Sequence, residues 1–350
     1  MLTIERLLTQ GKTLPWAKQE AHFTEAIGSI PVVVPKAEES LIAGLYNHRG
    51  RARRMLGNYA DSRADYQMAL AITTDPDQRA LARINLADVH RVGFKDFPQA
   101  HASLDEALTF IENGTLIHAQ AVDQRGLIFR AEGNYETALA CYRRAINICA
   151  ELLNLDLKEE YDPYVDAGYS MRVLRSLSAE EVFDRLAQIY QHQGEAAFDS
   201  FRESEEINLI QLAIESQKRV IELCTEHKLP NSTNSICNAK KMLGLIDLRR
   251  GTFGSAYEYL SEALKLAGEE LKYPRAIGIT SLYLAESILA LNRGQEAVSY
   301  IKTFVDLVRV GSIPAHDYSI IKPHVLETLR LSKQFGFTIP GFEEVAKMVG

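Results

Sequence analysis

Apolar and polar residues alternate along most of the chain with the three- and four-residue rhythm of amphipathic helices, interrupted at short intervals by turn residues. Three stretches align without gaps: Gly57-Asn58-Tyr59 to Leu70, Lys95-Asp96-Phe97 to Leu108, and Gly133-Asn134-Tyr135 to Ile146. In each, a turn leads into an aromatic residue and then a helix. Ala64, Ala102 and Ala140 share one register and Ala69, Ala107 and Ala145 another, with Tyr66, Leu104 and Tyr142 between them. The turns recur every 38 residues, a period typical of helical arrays. Upstream of each turn, Gly50, Ala87 and Gly126 stand on a preceding helix. A small residue there lets the partner helix approach, and the aromatic fills the wedge. Gly-Asn ends the first helix because both residues tolerate a left-handed cap. The second unit carries an extra residue near Gly93 and Phe94.

This succession of Gly or Ala, Gly-Asn-Tyr, Ala, Tyr and Ala resembles the tetratricopeptide repeat family. The third unit, Ala121 to Ala150, is the fullest match, with Gly126, Gly133, Tyr135, Ala138, Tyr142 and Ala145 all of the expected type; the first departs at Ser62. Leu243-Gly244, Gly251, Phe253, Ala256, Leu260 and Ala263 form a further copy, and Leu284-Ala285, Ala297, Ile301 and Phe304 a weaker one. A stretched unit lies between, with Leu186-Ala187 and Gly194 on its first helix, Ala213 to Cys224 on its second, and an insertion around Phe198 to Ile210. The resemblance spans residues 41–310. It implies an all-α, right-handed superhelical solenoid of antiparallel helix pairs, about six repeats with capping helices.

The organisation expected is an N-terminal cap and extended segment over 1–40, three regular repeats over 41–154, an irregular middle over 155–235, two further repeats over 236–310, and capping helices over 311–350. Prolines bound the run Ile30 to Pro35, which is not expected to be helical. Leu155 to Ser178, interrupted by Asp162-Pro163 and Gly168, reads as a long loop. It and the Phe198–Ile210 insertion either extend or cover helices or form a lip over the groove.

A net charge of −7 over 350 residues offers no footprint for general nucleic-acid binding. No apolar run approaches the roughly 18 residues of a membrane span. Met1 to Trp16 carries Glu5 and Arg6 inside its first apolar turn, unlike a signal peptide. The four cysteines form no CxxC pair and read as reduced core thiols. A cytoplasmic location is the expectation.

Catalytic chemistry finds little to build on. Gly11-Lys12-Thr13 imitates the tail of a phosphate-binding loop, but Arg6 occupies the place of its first glycine. There is no HExxH pattern, no close His–Cys cluster and no GxSxG elbow. The expectation is a protein that is no enzyme and takes no cofactor or metal.

In relatives of this type the first helix of each unit lines a concave surface where peptides bind. Arg54, Arg91 and Arg130 stand four residues after Gly50, Ala87 and Gly126, so one arginine recurs in three successive units. Later units carry Gln191, Leu248 and Leu289 there. The remaining lining positions are Asn47, Arg51, Asn85, Asp88 and Asp123 toward the N-terminus, and Asp184, Gln188, Lys241, Leu245, Leu282 and Glu286 toward the C-terminus. The groove is thus expected to be arginine-rich at one end and more apolar at the other. An arginine fork pairs with carboxylate or phosphate, so an acidic segment, the C-terminal segment of a partner or a phosphorylated site would suit it; alternatively the arginines pair with Asp88 and Asp123. Asn85 fits one position of the carboxylate-clamp branch of the family, while Asn47, Arg51, Gln120 and Gln124 depart from it. Two functions follow: an adaptor or scaffold holding a protein or peptide segment, or a regulatory sensor that binds a signalling peptide or small ligand and acts on another protein. Self-association through the apolar C-terminal half is a further expectation.

Overall fold

The computed structural model describes residues 4–12, 14–30, 38–153, 178–229 and 232–349. Among them are sixteen α-helices and no strand. The expected extended run at 31–35 and the loop at 155–177 lie outside the described residues. The protein divides into two compact units, Met1–Arg185 and Leu186–Gly350.

The first unit holds four helix pairs: α1 (Ile4–Lys12) with α2 (Trp16–Gly28), α3 (Glu39–Met55) with α4 (Tyr59–Ile72), α5 (Pro76–Val89) with α6 (Phe97–Leu108), and α7 (Leu116–Ala131) with α8 (Tyr135–Leu152). Local chemistry fixes the helix ends. Asp75 caps α5 by accepting from the Asp77 and Gln78 amides, with Pro76 in the first turn. Asp96, Thr115 and Asn134 cap α6, α7 and α8 in the same way. The turns of the first and third regular units repeat one hydrogen bond, Asn58 N–H to Arg53 O at 2.8 Å and Asn134 N–H to Phe129 O at 2.8 Å. Gly57 and Gly133 make that turn at φ +84° and +80°, the left-handed region where a side chain strains the backbone.

Small residues let each pair close. A Cβ on Gly50 would lie 2.8 Å from the Tyr66 ring, and one on Gly126 would lie 2.6 Å from Tyr142. Tyr66, Leu104 and Tyr142 are all fully buried, as are Ala69, Ala107 and Ala145. The other alanine register turns out differently: Ala64, Ala102 and Ala140 face solvent. Ser62, Ala100 and Ala138 pack in their stead, and Ser62 satisfies its hydroxyl by donating to Gly50 O at 2.7 Å. The extra residue of the second unit is absorbed in a π-helical turn, His90–Phe94, before a left-handed Lys95. Gly93 in this turn lies against Tyr59, where a Cβ would sit 2.5 Å from the ring.

The α2 helix packs its fully buried Phe23 and Ala26 with Leu45 of α3. It covers the open side of the first regular pair, as a cap must.

The second unit contains α9 (Ala179–Ser204, divided at Arg185), α10 (Ile207–His227), α11 (Ser232–Arg250), α12 (Phe253–Lys265), α13 (Pro274–Ala290), α14 (Gly294–Arg309), α15 (Tyr318–Gln334) and α16 (Phe342–Val349). The insertion around Phe198 to Ile210 is helical: it lengthens α9 to 26 and α10 to 21 residues, leaving only Glu205 and Glu206 between them. The α11–α12 pair repeats the turn of the first unit, with Thr252 N–H donating to Asp247 O at 2.9 Å, and Gly244 lies against Leu260. A second π turn, Leu266–Glu270, follows α12. Every residue of α13 from Gly278 to Leu289 is buried. The C-terminal pair turns at 335–341, with Gly336 and Gly341 both left-handed.

Candidate functional site

In the first unit α1, α3, α5 and α7 pack side by side, so their outward faces form one continuous surface. Residues three, four and seven positions apart on one helix share that face. The sequence places Asn47, Arg51 and Arg54 there on α3, Asn85 and Asp88 on α5, Arg91 just beyond it, and Asp123 and Arg130 on α7.

Asp88 is the hub. Its Oδ2 forms an ion pair with Arg54 Nη1 at 2.7 Å, and its Oδ1 accepts from Arg91 Nη2 at 2.5 Å and from Gln124 Nε2 at 2.8 Å. Three donors from three successive units thus meet on one buried carboxylate. Burial alone would raise its pKa, but Arg54 and Arg91 overcome that and hold it well below the usual carboxylate range. Burial opposes the charge of Arg54 too, and Asp88 more than restores it, so the Arg54 pKa rises. Below them, burial pushes the Tyr66 hydroxyl up to about 12. The π turn carries Arg91 and leaves it three residues past Asp88, close enough to bond it.

Arg51, one turn before Arg54, is different. Its side chain is exposed, and among the described residues it has no hydrogen bond or ion pair; its guanidinium lies over the Trp16 ring at 5.5 Å. The surrounding protein still desolvates it, and the charges of Arg54 and Arg185 repel it, so its pKa is lowered. Arg185, at the end of this unit, reaches Asp123 at 4.0 Å. Asn47 is buried and donates from Nδ2 to Gln78 Oε1 at 3.2 Å. Asn85 and Arg130 are half-buried on their helices.

The structure therefore joins Arg54, Asp88 and Arg91 into one network and brings Arg51 to its edge. Apart from Asp184, which belongs to the first unit, the later lining positions belong to the second unit and lie in a different setting. Gln191 donates to Glu195 Oε1 at 3.1 Å, and Gln188 is half-buried. Lys241 donates to Asn238 Oδ1 at 3.2 Å, with its pKa lowered first by burial. The apolar lining expected there is core instead: Leu245, Leu248, Leu282 and Leu289 are all buried. The reason is the dense packing around α13, which meets α12, α14 and α15, with α11 at its edge. Glu286 on that helix pairs with His324 Nδ1 at 2.7 Å.

Sequence reasoning missed three contributors. Trp16 and Arg185 come from outside the repeats that define the register, and Gln124 was weighed only as a departure from a clamp. A second network, Arg49 and Arg53 on Asp65 with Glu20 on Arg53, was also unseen. Trp16 did carry a signal, as the one tryptophan of the protein, directly after a proline at a helix start.

The described residues contain no group of three His, Cys, Asp or Glu able to hold a metal, and no helix long and apolar enough to cross a membrane. None of the four cysteines is in a disulfide; Cys149, Cys224 and Cys237 are buried and Cys141 half-buried.

No curated protein sequence matches this one. Among solved structures, a Rap protein complexed with competence and sporulation factor is 14% identical, with 99% of this chain and 83% of that one covered and a TM-score of 0.61. The APC/C hetero-tetramer Cut9–Hcn1 is 13% identical over 99% of this chain, at a TM-score of 0.55, and this chain spans 55% of its length. The human IFIT1 dimer with PPP-AAAA is 13% identical, covering 94% of this chain and 65% of that one, also at 0.55. These likenesses concern the fold; the three proteins hold unlike partners, so the ligand of this chain has to be read from its own residues. Residues 41–113 and 119–151 each match a family model described as a tetratricopeptide repeat. With glycines closed against tyrosines and one turn repeated from pair to pair, the chain carries tetratricopeptide repeats.

Proposed function

We propose that the first-helix face of the first unit is a groove that receives an acidic segment of a peptide or protein, and that the protein serves as an adaptor rather than a catalyst. Tetratricopeptide repeats are interaction units, and the Rap protein of similar fold is complexed with a factor. The observation that carries the acidic preference is the charge balance at Asp88, where two guanidinium groups meet one carboxylate. Arg51 beside them adds a further positive charge. Because Asp88 fixes Arg54 and Arg91, their remaining donors are oriented before a partner arrives, which lowers the ordering cost of binding.

The test must not leave Asp88 as an orphaned buried charge, since that alone would destabilise the fold. Arg54→Gln, Arg91→Gln and Asp88→Asn together neutralise the network while keeping its size, and circular dichroism checks that the variant folds. Random peptides displayed on phage are then selected on both proteins. Enrichment of Asp- and Glu-containing peptides on the wild type, absent on the variant, is the expected result. Equal selection by both, or enrichment of neutral or basic peptides, would remove this reading.

A second reading, a regulatory sensor acting on another protein, draws on the Rap protein bound to its factor. It requires that a selected peptide change the affinity of the protein for a second one, which an adaptor does not require.

A further inference from the structure

Of the arginines along the first-helix face, Arg51 is set apart by what surrounds it. Arg54 and Arg91 each commit part of their fork to Asp88, and Arg185 reaches Asp123. Arg51 has an exposed side chain with no hydrogen bond or ion pair among the described residues. Trp16, half-buried at the start of α2, places its ring 5.5 Å from the Arg51 guanidinium carbon. An indole face against a guanidinium leaves the N–H edge of the fork open while restraining its plane. Arg54 and Arg185 are near enough for their charges to act on Arg51, and Asp184 answers them from a greater distance than an ion pair.

We propose that Arg51 and Trp16 form a seat for one carboxylate of a bound peptide, at the α2–α3 end of the groove. The proposal rests on the peptide-groove reading and adds a specific contact to it, one in which the N-terminal cap takes part. A carboxylate is favoured over a phosphate by the local charge. One uncommitted fork matches the two oxygens of a carboxylate in a bidentate pair. A phosphate dianion would call on a second cation as free as Arg51, and Arg54, Arg91 and Arg185 each already face a carboxylate. The carboxylate comes either from an Asp or Glu side chain or from a peptide terminus, and the chemistry of the seat is the same for both.

Trp16 is the only tryptophan, so its emission reports on this seat alone. The full-length protein is titrated with acetyl-Ala-Ala-Glu-amide, which carries only a side-chain carboxylate, and with acetyl-Ala-Ala-Ala bearing a free C-terminus. Acetyl-Ala-Ala-Gln-amide and inorganic phosphate serve as comparisons. The expected result is a saturable change of Trp16 emission with a carboxylate peptide and none with the glutamine peptide. Whichever carboxylate peptide binds more tightly identifies the source. Calorimetric titration of Arg51→Gln, whose own emission will differ, should show affinity lowered at least about tenfold, with Arg51→Lys intermediate because it keeps the charge without the fork. An equal response to the glutamine peptide, unchanged affinity in Arg51→Gln, or phosphate saturating below either carboxylate would overturn the proposal. Display-selected peptides separate the two readings. If they need Arg54 and Arg91 yet bind Arg51→Gln as well as wild type, the groove stands and the seat falls.

Discussion

At His118 a buried imidazole accepts a hydrogen bond on Nδ1 from the Gly114 amide at 3.1 Å, which requires the ring to be neutral. Burial, then the charge of Arg144, lowers its pKa to about 4 from an ordinary 6.5. The unfolded protein therefore binds the extra proton first. The stabilisation is fully present above about pH 6.5 and is lost as the pH falls toward 4. Allowing for partial solvent screening, the loss is about 1–2 kcal/mol. Urea unfolding at pH 7 and pH 5 should show it, and His118→Asn, which keeps an acceptor for the Gly114 amide, should show less. At this scale the sequence was informative where one helix turn decides the outcome. Arg54, Asp88 and Arg91 lie on a shared face because their spacing from Gly50 and Ala87 puts them there. It did not show that Trp16 and Arg185 approach Arg51, because that depends on how separate helices dock. Side-chain partners across helices have no periodic signature, so the convergence of Arg54, Arg91 and Gln124 on one carboxylate could not be read in advance.

Between paired helices the determining contact is glycine against an aromatic ring. Gly126→Ala would place a methyl 2.6 Å from Tyr142, a ring with no exposed surface into which to retreat. The expected cost is roughly 1–3 kcal/mol in chemical denaturation. Gly133→Ala, with open space around its Cβ but φ at +80°, should cost only about 1 kcal/mol, through backbone strain alone. Both glycines were evident in the sequence, as were the helices they join. The orientation of Ala64, Ala102 and Ala140 was not, because an alanine repeated at one register suits a packed face and a solvent face equally. The Phe198–Ile210 insertion was likewise ambiguous, since an amphipathic run between two helices has the same pattern whether it loops or prolongs them.

Across the molecule, each helix pair relies on its neighbours to bury its second side. Phe23 and Ala26 of α2 cover Leu45, so a fragment of residues 38–153 would leave that surface bare, while 1–153 would keep it covered. The longer fragment should melt at a higher temperature by circular dichroism. The shorter one should show a concentration-dependent mass by size-exclusion chromatography with light scattering. The repeat pattern suggests one array with an irregular middle over 155–235, and it did not show that the protein divides within that stretch, at Arg185. The burial of α13 follows from the same limitation: whether a helix has neighbours on one side or three is settled by distant segments such as α15, not by its own composition.

Adding a residue to a helix swings everything after it by about 100°, which in a stacked array would misdirect each later helix. The wide turn at His90–Phe94 takes up that angle locally, and Phe97, Ala100 and Leu104 resume the phase of Tyr59, Ser62 and Tyr66. Helix ends with such a turn act as expansion joints, where the gene can gain or lose a codon without the reading of the next repeat being disturbed. Length differences among proteins of this design should therefore collect at joints like this one and the turn at Leu266–Glu270, and stay out of the helix middles where Gly50 and Gly126 keep the spacing.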